Sequence, residues 1–136
     1  MSKLRVFLAD DHAVVRQGLK LLLNAQPDME VVGEAGDGQT AWQEVKLLQP
    51  DVVVMDVSMP EMNGHEATRT IRGLQEGSSH RVPIVGVTAH ALKGDRERCL
   101  EAGMDDYLSK PISPKALLDK VERWTRSDAG GLRDVV

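Results

Sequence analysis

Three aspartates, a threonine and a lysine are the residues of this chain whose types and positions could do chemistry. Asp10 and Asp11 end one apolar run, Leu4-Arg5-Val6-Phe7-Leu8-Ala9, and Asp56 ends another, Val52-Val53-Val54-Met55. Thr88 closes Pro83-Ile84-Val85-Gly86-Val87, and Lys110 follows Asp106-Tyr107-Leu108-Ser109. A core has no use for an acid after four apolar residues, because burying a lone charge is expensive. Brought together at one end of a sheet, three carboxylates repel and push one another's pKa values upward. A hard divalent cation relieves this, since Mg2+ takes oxygen ligands and keeps part of its water shell. The same cation neutralises charge on a transferring phosphoryl group. Thr88 then offers a hydroxyl and Lys110 an ammonium to the other phosphate oxygens. Asp56 is left as the nucleophile, forming an acyl phosphate.

The elements that must position these groups are legible in turn. An unbroken β-branched run such as 52–55 fits a strand buried on both faces, as in the middle of a parallel sheet. The turn signals Pro60 and Asn63-Gly64 follow it at once. Upstream, Val15, Gly18, Leu19, Leu22 and Leu23 repeat at helical spacing until Pro27-Asp28. A short second strand is expected at Glu30-Val31-Val32-Gly33-Glu34-Ala35. A turn at Gly36-Asp37-Gly38 then leads to a helix carrying Ala41, Val45 and Leu48. Ala67, Ile71 and Leu74 mark a third helix, and Leu92, Arg96 and Leu100 a fourth, ending at Gly103 as C-cap. Ser113 caps a last helix with Pro114 at its first position and Leu117, Leu118, Val121 and Trp124 as its apolar stripe.

Five strand–helix repeats demand an α/β fold with a parallel sheet covered on both faces. The expected architecture is flavodoxin-like, a doubly wound (βα)5 with its five-stranded parallel sheet in the order 2-1-3-4-5, the order known for such sheets. Strands one and three are then neighbours across the switch point, where ligands bind. For Lys110 to turn into that crevice the chain must bend sharply at Pro111, which predicts a cis Lys110-Pro111 bond.

The 136 residues suffice for one domain with a real core. Residues 1–126 are expected to form it, with 127–136 a polar, frayed tail or linker stub. A net charge of −4 without a basic block argues against direct nucleic-acid binding. The single cysteine, Cys99, excludes an internal disulfide and reads as a small packed hydrophobe. The opening MSKLRVFLADDH is too quickly acidic for a signal peptide, and no apolar run reaches membrane-spanning length. A cytoplasmic protein, or a piece of one, is expected.

Taken together, Leu8-Ala9-Asp10-Asp11-His12, Met55-Asp56-Val57-Ser58-Met59-Pro60 with Met62-Asn63-Gly64, Val87-Thr88-Ala89 and Lys110-Pro111 resemble a two-component response-regulator receiver domain. The resemblance covers roughly residues 3–125. It implies that Asp56 accepts a phosphoryl group from a histidine of a sensor kinase or of a histidine phosphotransfer protein, so that the chain is a phosphoacceptor rather than an enzyme. It implies Mg2+, with Mn2+ as a substitute, on Asp11, Asp56 and the Ser58 carbonyl, Asp10 helping through water. Thr88 and Lys110 would contact the phosphoryl group, and Tyr107 would change rotamer on activation. Ser58 and His90 would flank the site at its rim and govern the lifetime of the acyl phosphate. The output, by the same resemblance, is a changed surface on the fourth helix, fifth strand and fifth helix, open to a partner or to a second copy. Through Gly64 the chain is similar to receivers of helix-turn-helix regulators, and from Val87 to Ile112 to receivers of hybrid histidine kinases. A stand-alone receiver, a fragment and a join of two relatives all stay open.

Plainer readings stand beside each signal. Asp10-Asp11 could cap the first helix. Thr88 alone could be an idle strand-end hydroxyl, and Lys110 a solvated charge. His12, His65 and His80 show no metal-ligand grouping, and Trp124 reads as an anchor for the last helix. Among rivals, a phosphatase of the haloacid-dehalogenase type also uses a strand-end aspartate with Mg2+, but it needs a second acid two residues on, where Ser58 stands. A flavodoxin-like cofactor binder needs a phosphate-cradling loop after the first strand, where Asp10-Asp11 would repel a phosphate.

Overall fold

The computed structural model describes residues 3–59, 62–76, 81–89 and 93–134, without the side chains of Lys93 and residues 126–134. Pro60, His80, His90 and Leu92 lie outside the described residues. In chain order the elements are β1 Leu4–Ala9, α1 Ala13–Asn24, β2 Met29–Ala35, α2 Gly38–Leu48, β3 Val52–Asp56, α3 Gly64–Gln75, β4 Ile84–Thr88, α4 Lys93–Ala102, β5 Asp106–Ser109 and α5 Pro114–Asp134. The five strands form one parallel sheet in the order β2-β1-β3-β4-β5, as expected.

Strand alternation sorts the core into two layers. Phe7, Ala9, Val53, Met55 and Ile84 face α2, α3 and α4, packing on Ala41, Val45, Ala67, Ile71 and Cys99. Val6, Leu8, Val52, Val54, Val85 and Val87 face the other way, onto Leu23 of α1 and Leu117 and Val121 of α5. Every residue of β3 and of β4 is buried, which is why those strands read as continuous apolar runs rather than as alternation.

The caps follow local chemistry. Asp37 caps α2, its carboxylate accepting from Thr40 N at 2.7 Å. Asn63 and Glu66 form a reciprocal capping box on α3. Ser113 Oγ accepts from Ala116 N at the start of α5, and Gly103 closes α4 with φ +108°. The N-cap of α1 is His12, so the capping alternative for Asp10-Asp11 is not realised.

Two expectations shift. On α4 the buried residues are Cys99 and Ala102, whereas Leu100 is 43% exposed. The helix is rotated so that Cys99 meets the sheet beside Gly86, where a Cβ would stand 3.5 Å from Cys99 Sγ. And the backbone expected to fray from Ser127 continues as helix to Asp134.

Candidate functional site

Register builds the site. Ala9 pairs with Met55 across β1 and β3, so the residues that follow, Asp10 and Asp56, leave the sheet side by side. Both are buried, at 3% and 1% exposure. Asp56 Oδ1 accepts from Ser58 N at 3.1 Å, and Asp56 Oδ2 accepts from Lys110 Nζ at 3.0 Å. Asp10 Oδ1 accepts from His12 N at 2.8 Å, and its Oδ2 lies 3.9 Å from Lys110 Nζ. Asp11 sits outside them, more exposed, with its Oδ1 3.1 Å from His12 Nδ1.

The Lys110 N–H donates to Thr88 O at 2.8 Å, and the Lys110-Pro111 bond is cis, as expected. The loop after β3 is held as closely. Gly64 N donates to Val57 O at 2.9 Å, and a Cβ on Gly64 would stand 2.2 Å from Asp56 O. Only glycine allows helix α3 to start this near the acid. Ser58 lines an open cleft of about 510 Å³ together with Asp11, Val57, Met59 and Asn63.

The electrostatics are those of too many anions for one cation. Burial pushes the Asp56 carboxyl above its ordinary value, and Asp10 adds to this, against the opposing pull of Lys110. Burial alone would lower Lys110, but Asp56, Asp10 and Asp11 hold it above its ordinary value. Asp56 moves upward chiefly through burial and Lys110 through the three carboxylates around it. That excess is what a bound divalent cation would balance. Asp10, Asp11, His12 and Asp56 each offer a ligand atom within 4.8 Å of the others, so the donor set fits a hard cation.

Thr88 is buried at the end of β4, with its Oγ1 donating to Asp95 Oδ2 on α4 at 3.2 Å. Arg98 holds the other oxygen of Asp95. Tyr107 is half-buried on β5 at the margin of the α2–α3–α4 layer. His90 lies outside the described residues.

Three features were not visible in the spacing. His12 joins the acid cluster although no histidine showed a ligand grouping; its adjacency to Asp10-Asp11 was the available signal. Asp95 reaches Thr88 from the first turn of α4. His65 Nε2 lies 3.6 Å from Cys99 Sγ, a pair 34 residues apart. With Ser58, Thr88, Asp95 and Arg98 they line a cavity of about 240 Å³. Burial pulls His65 down, helped by Arg69 and Arg98, and pushes the Cys99 thiol up, so both are neutral.

The arrangement is a buried carboxylate bonded to one ammonium within a cluster of acids whose ligand atoms could hold a cation, with a hydroxyl at the end of the neighbouring strand. Known proteins resemble the chain in sequence and fold. A sequence model of the response regulator receiver domain matches residues 6–122. The chain is 36% identical over 120 residues to hybrid signal transduction histidine kinase I of Dictyostelium discoideum, covering 86% of this chain and 7% of that protein. It is 38% identical over 128 residues to the transcriptional regulatory protein YxjL of Bacillus subtilis, covering 94% of this chain and 57% of that one. The chain therefore spans only part of the length of these curated relatives, a hybrid histidine kinase and a transcriptional regulatory protein. Among solved structures, a Saccharomyces cerevisiae co-crystal of the histidine phosphotransfer signaling protein Ypd1 with the receiver domain of the response regulator Ssk1 matches with a TM-score of 0.85. The identity is 28%, covering 94% of this chain and 92% of that one. Sheet order, strand-end chemistry and sequence agree, and the chain belongs to the response regulator receiver domain family.

Proposed function

We propose that this domain accepts a phosphoryl group onto Asp56, in the presence of Mg2+, from a phosphohistidine of a sensor kinase or a histidine phosphotransfer protein. The observation that carries this reading is the Asp56 carboxylate, 1% exposed, facing Lys110 within a cluster of acids. An Asp56 oxygen attacks phosphorus, the phosphorus–nitrogen bond of the donor breaks, and the imidazole leaves as the acyl phosphate forms. Asp10, Asp11, Asp56 and the Ser58 carbonyl would hold the cation, with Mn2+ able to replace Mg2+; bound there, it supplies charge neutralisation to the transferring group.

The chain's own groups do the rest. Lys110, already bonded to Asp56, neutralises a phosphoryl oxygen. Thr88 turns its hydroxyl from Asp95 to the phosphoryl group, and Tyr107 moves into the space vacated under α4. The local change in charge thereby alters the α4–β5–α5 surface, biasing a two-state element. A partner or a second copy of the chain would bind there. Ser58 and His90 would set how readily water reaches the acyl phosphate. The domain is a phosphoacceptor that promotes its own phosphorylation and dephosphorylation. No helix among the described residues is long and apolar enough to cross a membrane, in keeping with a cytoplasmic site of action.

The test is direct labelling. With Mg2+ and acetyl phosphate, mass spectrometry should find one acid-stable, base-labile phosphoryl group on Asp56, and Asp56→Asn should take none. Normal stoichiometry on the variant sinks the assignment. Beryllofluoride should shift amide resonances along α4, β5 and α5; shifts confined to the acid pocket would remove the switch.

A further inference from the structure

Asp10 is 3% exposed, so its backbone needs partners as much as its carboxylate does. Its N–H donates to Ala35 O at 3.0 Å, at the end of β2. Its C=O accepts from Arg16 Nη1 at 2.5 Å. Arg16 stands where the first turn of α1 closes, its own N–H donating to His12 O at 2.9 Å. The guanidinium that reaches the Asp10 carbonyl is aimed by a second bond. Arg16 Nε donates to Glu34 Oε1 at 2.7 Å, and Lys20 Nζ donates to the other oxygen, Oε2, at 3.0 Å. The side chain of Arg16 is 20% exposed, so it lies in the seam between α1 and β2 rather than in solvent. The turn after β2 leaves it room there, since even a Cβ on Gly36 would stand 3.4 Å from Arg16 Nη1.

We propose that Arg16 is the positioning residue of the acid pair. By bonding the Asp10 carbonyl and Glu34 at once, it fixes the loop that carries Asp10 and Asp11 and sets how tightly the cluster holds its cation. The inference rests on the reading of the cluster as a Mg2+ site and adds to it the residue that shapes that site. Groups that orient a metal's ligands without touching the metal are commonly worth about ten- to a hundredfold in affinity. A guanidinium suits this task, because its planar fork holds two acceptors at a fixed angle, whereas the lysine ammonium is a point charge on a flexible stem.

Charge alone would act in the opposite direction. A cation beside the acids repels an incoming metal ion, so removing it would tighten metal binding. A positioning group, once removed, loosens it. Arg16→Lys separates the two, since it keeps the charge and loses the fork. A role in stability alone differs again: it would lower the unfolding midpoint and leave the Mg2+ affinity of the folded chain unchanged.

The experiment titrates the whole chain with Mg2+ by calorimetry, for the natural sequence, Arg16→Lys, Arg16→Met and Glu34→Ala, each shown to be folded by circular dichroism. Hydrogen exchange without metal compares the amides of Asp10, Asp11 and His12 with those of β3. The Mg2+ dependence of Asp56 labelling by acetyl phosphate is measured alongside. Both Arg16 variants should lose about tenfold in Mg2+ affinity, the lower end of what the loss of a supporting group costs a metal site. Half-saturating Mg2+ for labelling should rise by the same factor, while the rate at saturating Mg2+ stays near that of the natural chain. The amides of Asp10, Asp11 and His12 should exchange faster while those of β3 keep their protection. Glu34→Ala leaves every acid of the cluster in place and should weaken Mg2+ binding in the same direction by a smaller factor. It decides the matter if the Arg16 variants do not fold. Unchanged or tighter Mg2+ binding in folded Arg16→Lys, or in Glu34→Ala where that variant decides, overturns the positioning role and leaves the metal site standing. Failure of the natural chain to bind Mg2+ overturns both.

Discussion

The Thr88 hydroxyl is bonded to helix α4: its Oγ1 donates to Asp95 Oδ2 at 3.2 Å while Arg98 engages the same carboxylate. A strand-end hydroxyl is thereby tied to the first turn of a helix seven residues away. If Thr88 must leave Asp95 to meet a phosphoryl oxygen, that bond opposes the reaction. Asp95→Ala should then speed labelling of Asp56 by acetyl phosphate by up to about tenfold, the worth of one charge-assisted hydrogen bond. The measure is the initial rate of acyl-phosphate formation with Mg2+ in excess. An unchanged or slower rate would show that Asp95 does not hold Thr88 back.

The acid cluster makes a stability prediction with a definite sign. Asp56 has its pKa raised by burial, so between its unfolded and folded values the folded chain binds more protons than the unfolded one. Stability accordingly falls as pH rises through that window. Without metal, Asp56→Asn should be more stable than the natural chain at pH 7 by on the order of 1 kcal/mol, a few degrees in melting temperature at this size. The advantage should disappear below about pH 4, where the unfolded carboxyl is itself protonated. Lys110 has the same sign in a higher window: raised by the carboxylates, it contributes stability below its ordinary value that is lost as pH rises past the raised one. Urea unfolding of both proteins across pH decides the matter, and an Asn variant less stable at pH 7 refutes it.

At the far end of the sheet, Asp106 Oδ2 accepts from Lys120 Nζ at 2.8 Å and from Trp124 Nε1 at 2.9 Å. These bonds fasten α5 to β5. Burial would raise the Asp106 carboxyl, but Lys120, Trp124 and the Tyr107 N–H together bring it below the ordinary carboxylate value. Its contribution is present above the unfolded pKa and lost as pH falls through the folded one. Asp106→Ala should cost about 1–3 kcal/mol at pH 7 and shift Trp124 emission, with the difference narrowing in acid. Equal denaturant midpoints at neutral pH would show the anchor to be idle.

Two glycines of the same helix should respond with opposite signs. A Cβ on Gly64 meets Asp56 O at 2.2 Å, whereas at Gly73 nothing lies within 4 Å. Gly64→Ala should destabilise by about 1–3 kcal/mol, as overpacking does, and slow phosphorylation by moving the loop that carries Ser58. Gly73→Ala should stabilise by about 0.5–1 kcal/mol through helix propensity alone. Thermal melts of the two variants, read with their labelling rates, separate the outcomes.

Much of this protein is local, and what is local can be read without coordinates. The run 52–55 is apolar throughout because β3 is covered on both faces, and an acid at its end had no packing purpose. Ser113 and Gly103 announced their helix ends, and Asp37 and Asn63, legible as turn residues, cap α2 and α3, through backbone chemistry that involves only a few neighbouring residues. Five repeats of strand and helix pointed to a parallel sheet whose order, taken from known sheets of this kind, is the one observed, and its switch point brought Asp10 beside Asp56. The tertiary structure decided what depends on helix rotation and on pairs remote in sequence. On α4, Leu100, one of the residues that marked the helix, is exposed, while Cys99, read as a packed hydrophobe, is buried beside Gly86. The contact of His65 with Cys99, the tie from Asp95 to Thr88 and the return of His12 to the acids are all set by where side chains converge once helices dock. Periodicity encodes which face of an element is buried, but the partner met there is a property of the assembled layers.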